Sequence, residues 1–216
     1  MISNEKLRFK VRQIINEMHD DSAVTLLNDD IRSIDEHIMA LLPDAVLWIQ
    51  RNKGWGALNP KSVTVVAIED NGDGTGEITV PDDYVKLISL QMHGWQRPCT
   101  LAFPQESAVA AAQRNIYTRA GCCRPVCVEA FNTVGRTVLR YYSLPKEDVP
   151  QIKEFIYEAR YNPEDGLSGC DEALHKAVAY QCAAMLFNIF ERRDCANSLM
   201  GIASAYCNNY QQNEKK

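Results

Sequence analysis

The first residues to weigh are those whose types and spacing could do chemistry. Counting from Asn71, oxygen-bearing side chains recur at Asn71, Asp73, Thr75 and Asp82, with Gly76 at the sixth position. That spacing is what a calcium loop uses to surround a hard cation with oxygens. Such loops end on a bidentate Glu and lie between helices. Here the last position is Asp, and β-branched segments flank the loop, so a hairpin turn accounts for its glycines. Cys122, Cys123 and Cys127 form a second cluster, with Cys99 as a potential neighbour. Zinc asks for four ligands, usually in spaced pairs. Adjacent cysteines do not supply that geometry, and the reading is of loop thiols without a metal. His19, His37, His93 and His175 stand in no HxxxH or HExxH arrangement. A Cys/His nucleophilic pair could form only by folding, and nothing in the sequence selects one. There is no GxSxG, no GxGxxG and no phosphate-cradling loop. Asp82 and Asp83 follow Pro81 as turn residues do. Trp48, Trp55 and Trp95 lack the interleaved basic residues of a base-stacking surface. The expectation is a protein without catalytic residues, bound metal or cofactor.

Composition narrows the classes further. The 216 residues are 46% hydrophobic and 24% charged, with a formal net charge of −5. This is ordinary for a folded chain, and it argues against a broad basic face that grips phosphates. The opening residues, MISNEKLRFKVRQ, contain no apolar signal core, and no apolar run is long enough to span a membrane. The eight cysteines are therefore read as free thiols of a protein made in a reducing cytoplasm, several of them acting as small buried apolar groups.

The elements that must position these residues follow from periodicity. Leu7, Val11, Ile14, Ile15 and Met18 predict a helix from Asn4 to His19. A second is expected from Asp29, with Ile31, Ile34, Ile38, Leu41 and Leu42 as its stripe. Pro43 should stop it and start a third, short helix that ends near Gly54. After Pro60 the pattern becomes β: Ser62 to Glu69, a glycine-rich turn over Asp70 to Gly76, and then strand, Pro-Asp-Asp turn and strand through Leu90. A short helix over Pro104 to Gln113 precedes strands at Val126 to Phe131, Thr137 to Tyr142 and Ile152 to Tyr161. Two helices close the chain: one carries Leu174, Ala177, Val178, Cys182, Met185, Leu186 and Ile189 on one face, with Gln181 its polar member. The other carries Leu199, Ile202, Ala203, Tyr206 and Tyr210. Helices at both ends each need a partner, so the economical fold is α+β. It is a helical bundle of the N- and C-terminal helices with an inserted antiparallel β-sandwich or barrel-like region. The corresponding boundaries are residues 1–60, 61–165 and 166–216.

Several stretches of this order carry a resemblance. ITVPDDYVKLISL, from Ile78 to Leu90, is similar to the P-x-D-[FY]-x-[KR]-[LI] strand of head–tail adaptors of short-tailed phages. These are also called gatekeepers or tail tubular protein A, and related ring proteins occur in crAss-like phages of gut Bacteroidales. Arg124-Pro125 before a strand, GRTVLRYYSLP from Gly135 to Pro145, Phe155 to Pro163 and the alanine-rich helices from Asp171 to Asn208 extend the likeness, which covers Leu7 to Asn208. The resemblance implies a structural virion protein, assembled in the host cytoplasm and located at the head–tail junction. It would form a closed homo-oligomeric ring of about twelve copies. Its partners would be the portal protein, the next tail protein and genomic DNA that passes without sequence-specific binding; no membrane is involved. Contacts to neighbours are expected from Asn71 and Asp73 in one loop, and from Asn115, Tyr117 and Arg119 in another. A polar tail would add Asn208, Tyr210, Lys215 and Lys216. Two other classes remain open: a cytoplasmic α+β interaction module, and a thiol- or metal-dependent enzyme built on Cys122, Cys123 or Cys127.

Overall fold

The structure is a computed structural model and describes residues 2–17, 31–52, 58–64, 66–145, 149–162, 166–167 and 172–213. Among these residues the fold is mixed α+β, with five helices and two sheets. The chain divides into two compact units, Met1–Asn59 with Arg160–Lys216, and Pro60–Ala159.

The first unit is helical. Its elements are α1 (Asn4–Glu17), α2 (Ile31–Asn52), α4 (Glu172–Ile189) and α5 (Arg193–Asn213). Helix α1 buries Leu7, Val11, Ile14 and Ile15, four members of the stripe expected from sequence; Met18, the fifth, and His19, the expected helix end, lie outside the described residues. Helix α2 departs from expectation, because it runs unbroken through Pro43. A proline inside a helix removes one hydrogen bond and crowds the preceding turn. Here Ile38, Leu42, Ala45, Val46 and Ile49 are all fully buried on both sides of it, and that burial outweighs the local penalty.

Helix α4 also departs from the one-faced reading. Leu174, Ala177, Val178, Ala179, Cys182, Ala183, Ala184, Leu186 and Phe187 are all buried. A helix covered nearly all round is the centre of its unit. Its small residues let α1, α2 and α5 approach. Gln181 lies within this core at 2% exposure, and its Oε1 has no hydrogen-bond partner among the described residues. Helix α4 ends where Glu191 adopts a left-handed φ of 59°, and Arg192 N donates to Phe187 O at 2.9 Å. This is how a helix commonly terminates before an antiparallel partner. Tyr161, expected to end a strand, is instead buried in this helical core, and its hydroxyl donates to Asn4 Oδ1.

The second unit holds eight strands and one short helix: β1 (Pro60–Ser62), β2 (Ile68–Asp70), β3 (Gly76–Thr79), β4 (Tyr84–Met92), β5 (Ala102–Pro104), α3 (Ala108–Gln113), β6 (Cys127–Phe131), β7 (Thr137–Tyr141) and β8 (Ile152–Ala159). They form a three-stranded sheet, β1-β8-β4, and a five-stranded sheet, β2-β3-β7-β6-β5. One core takes Leu90, Phe155 and Tyr157 from the first sheet and Ile78, Leu139 and Tyr141 from the second. The hairpin around the glycine-rich turn is β2–β3, with Ile68 opposite Ile78.

Two expectations need correction. The predicted strand Ser62 to Glu69 is split between β1 and β2, which join different sheets. The Pro81 to Asp83 turn, between two strands as expected, leads from one sheet to the other. The region is also not purely antiparallel: β5 pairs parallel to β6, with Ala102 opposite Cys127. The chain between them, carrying α3, provides the crossover that a parallel pair requires.

Candidate interaction surface

Five of the residues expected to make contacts lie in two loops that the fold ties together. The loop between β2 and β3 is held by its own side chains. Asn71 Nδ2 donates to Thr75 Oγ1 at 2.9 Å, and Thr75 donates to Asp73 Oδ1 through both its hydroxyl and its backbone N–H. Gly74 is required here. Its φ is +84°, and a Cβ at this position would strike the carbonyl oxygen of Leu144. That close approach lets Leu144 N donate to Gly74 O at 3.1 Å. The side-chain oxygens that resembled a calcium loop are thus committed to a turn. Asp82 lies beyond β3 in a separate turn. Among the described residues, no group of three or more His, Cys, Asp or Glu side chains is placed to hold a metal ion.

The second loop follows α3. Ser107 caps that helix by accepting from Ala110 N, as short polar N-caps do. At its other end Gln113, itself buried, accepts from Ala120 N at 2.9 Å. Thr118 Oγ1 donates to Ala112 O at 2.7 Å, and Asn115 Oδ1 accepts from Tyr117 N at 2.9 Å. Arg119 donates its backbone N–H to Asn115 O and its Nε to Gln113 O. These bonds fix the loop while leaving Ile116 64% and Tyr117 94% exposed. Arg119 then joins the loops: its Nη1 is 3.8 Å from Asp73 Oδ2, and its guanidinium lies 6.0 Å from the centre of the Tyr142 ring. The Thr75 hydroxyl, with help from Arg119, holds the Asp73 carboxyl below the usual carboxylate range. Burial pushes the Tyr142 hydroxyl up, against the pull of Arg140, Arg114 and Arg119.

Asn71, Asp73, Asn115, Tyr117 and Arg119 therefore share one stitched surface. Asn208 and Tyr210 fall in α5, far along the chain, with backbone alone described. Lys215 and Lys216 lie outside the described residues.

Sequence reasoning missed a groove on the same unit. Ala102, Pro104, Gln105, Glu106, Glu129 and Phe131 line a volume of about 170 Å³ along β5 and β6. Glu129 is half-buried there, and burial raises its pKa even though the Tyr84 hydroxyl donates to it at 3.3 Å. Phe131 stands at the rim, 67% exposed. The only sequence signal was an alternation in β6 that leaves Glu129 and Phe131 on the face opposite Val128 and Ala130.

The thiols divide by environment. Cys99, Cys122, Cys123, Cys127, Cys182 and Cys195 are free thiols. Cys123 is exposed and Cys122 half-buried, whereas Cys99 and Cys127 meet inside the β core. Cys99 lies below the ordinary thiol range because its sulfur accepts from the Cys127 thiol. Cys127, fully enclosed, is pushed well above that range by burial. Both side chains are at most 5% exposed, so this is core packing by soft, small groups. The arrangement as a whole suits display and recognition: ordered loops, exposed aromatic side chains and an open groove. No protein-family model matches this chain, and no curated protein matches it.

Proposed function

We propose that the chain is a structural subunit of a homo-oligomeric head–tail connector ring. The ring would sit below a phage portal, extend the DNA channel and dock the next tail component. In this reading the helical unit is a bundle and the β unit an inserted sandwich-like platform. The observation that carries it is the path of the chain. Both chain ends contribute to one helical unit, and Pro60–Ala159 leaves and returns as a single β insertion. That is the order on which the resemblance of Ile78 to Leu90, Gly135 to Pro145 and the last two helices rests. The ordered loops at Asn71–Gly76 and Gln113–Ala120 support it, because a ring subunit needs preorganised surfaces rather than a reaction pocket. The net charge of −5 suits a conduit past which DNA slides, since retention requires phosphate contacts.

Native mass spectrometry and particle imaging of the purified chain, alone and with the portal protein of the same genome, test the reading. A closed ring that docks on the portal is expected. A chain that remains monomeric under both conditions and is absent from virions overturns it.

A further inference from the structure

The loop after α3 and the groove beside β5 differ in charge as well as in shape. From Gln113 to Arg124 the sequence holds three arginines, Arg114, Arg119 and Arg124, and no carboxylate. Arg119 is turned toward Asp73, whereas Arg114 and Arg124 are exposed. The groove has the opposite character. Its lining residues include two carboxylates, Glu106 and Glu129, and no cation, around the apolar surfaces of Ala102, Pro104 and Phe131. A volume of about 170 Å³ is on the scale of one aromatic side chain. Tyr117 is 94% exposed on its own chain, so it does not fill that groove in cis. Its loop is nevertheless held by hydrogen bonds that Gln113 and Asn115 accept and Thr118 and Arg119 donate. A large aromatic side chain presented to water from an ordered loop, so that little backbone entropy remains to be lost, is a common form of interface anchor.

We infer that the Ile116–Tyr117 finger of one copy inserts into the Glu106–Glu129–Phe131 groove of a second copy of this chain, with Arg114 and Arg124 facing the carboxylates. Finger and groove are different patches, so within a ring the contact is made head to tail, and it propagates from copy to copy, closing where the rotation allows. The inference rests on the ring reading and names the contact that would build it. The finger is an anchor within a larger interface, since one side chain covers far less than a stable interface requires.

The test places a photo-crosslinking phenylalanine analogue at position 117 in a mixture of isotopically light and heavy chains. It is run under the condition in which the ring forms. The expected product joins position 117 to residues 102–106 or 129–131 of a differently labelled copy. Tyr117→Asp should weaken assembly about tenfold or more, and its circular dichroism should be unchanged because the side chain is exposed. Arg114→Glu and Glu106→Arg should each weaken assembly, and the double variant should recover part of the loss by restoring opposite charges. A ring that forms with crosslinks elsewhere, or within one copy, or that tolerates Tyr117→Asp, overturns this contact and leaves the ring reading standing. Absence of self-association under every condition overturns both.

Discussion

The helical unit and the β unit solve the same burial problem with different side chains. Helix α4 is buried on nearly every side, and its neighbours come close because Ala177, Ala179, Ala183 and Ala184 are small. In the β unit the largest fully buried side chains are aromatic: Tyr141, Tyr157 and Phe155, none more than 2% exposed. Tyr157 packs at 5.5 Å from Phe155 and 5.9 Å from Tyr84. Phenolic hydroxyls come with such a core and must be satisfied. Tyr157 donates to Asp83 at 2.8 Å, in a turn, and Tyr141 to Asp70 at 3.3 Å, at the end of β2 beside a turn. The helical core sends out such a tie from Tyr161 to Asn4, while the β core sends these two, to residues in or beside its turns. Among the described residues, the interior of the β unit thus holds Asp70, beside one turn, and Asp83, within another.

The largest test of this contrast truncates one buried side chain in each core. Phe155→Ala should cost about 3–5 kcal/mol and Leu42→Ala about 2–5 kcal/mol. Hydrogen exchange read by mass spectrometry locates the effect. Phe155→Ala should raise exchange in β4, β7 and β8 and also in the loop from Gln113 to Ala120, while α4 keeps its protection. Leu42→Ala should act on α1, α2 and α4. Equal loss of protection across both units in either variant would break the contrast.

Local periodicity made much of the fold legible. The stripe of α1 and the existence of the final helix pair follow from spacing within a few turns of chain, whereas the pattern of β8 fits strand or helix alike and its aromatic residues, with Pro163 close behind, point to strand. What was not legible depended on contacts distant in sequence. Pro43 carries a strong local stop signal, but the burial of Leu42, Ala45 and Val46 against other helices overrides it. The parallel pairing of β5 with β6 is set by a crossover, which periodicity does not encode. The same holds at the candidate surface. Asn71, Asp73, Asn115, Tyr117 and Arg119 could be picked as loop residues, but the 3.8 Å approach of Arg119 to Asp73 joins segments that no local pattern relates. The groove was invisible because Glu106 and Glu129 come from opposite sides of that crossover.

Pro43 sharpens the comparison from the helical side. A proline within a helix is less favourable than alanine by about 3 kcal/mol, and its removal returns about 0.4–1 kcal/mol of chain entropy to the unfolded state. If the close-packed core carries that penalty, Pro43→Ala should stabilise the protein by about 2 kcal/mol, seen as a higher urea midpoint at constant slope. A lower midpoint would mean that the half-buried proline ring packs in a way alanine cannot replace.

The smallest effect probes the tie between the β core and its turns. Asp83 accepts from Tyr157 and from Lys61 Nζ, both at 2.8 Å. Partial burial alone would raise its pKa, but the Lys61 ammonium and the Tyr157 hydroxyl outweigh it, and the net shift is below 3.8. A carboxyl depressed in the folded state stabilises that state fully above its unfolded pKa and loses the contribution as pH falls through the folded value. With 35% of the Asp83 side chain exposed, solvent screens the pair, so Asp83→Asn should cost about 0.2–1 kcal/mol near neutral pH. The difference in melting temperature between wild type and Asp83→Asn should stay constant down to mildly acidic pH and shrink below 3.8. Tyr157 opposes ionisation at the other end of the scale, because burial and the adjacent Asp83 raise its pKa above 10.0. Stability tied to that hydroxyl is held until pH rises past 10.0 and then declines. A difference that persists unchanged through the acid limb would show that Asp83 acts through turn geometry rather than charge.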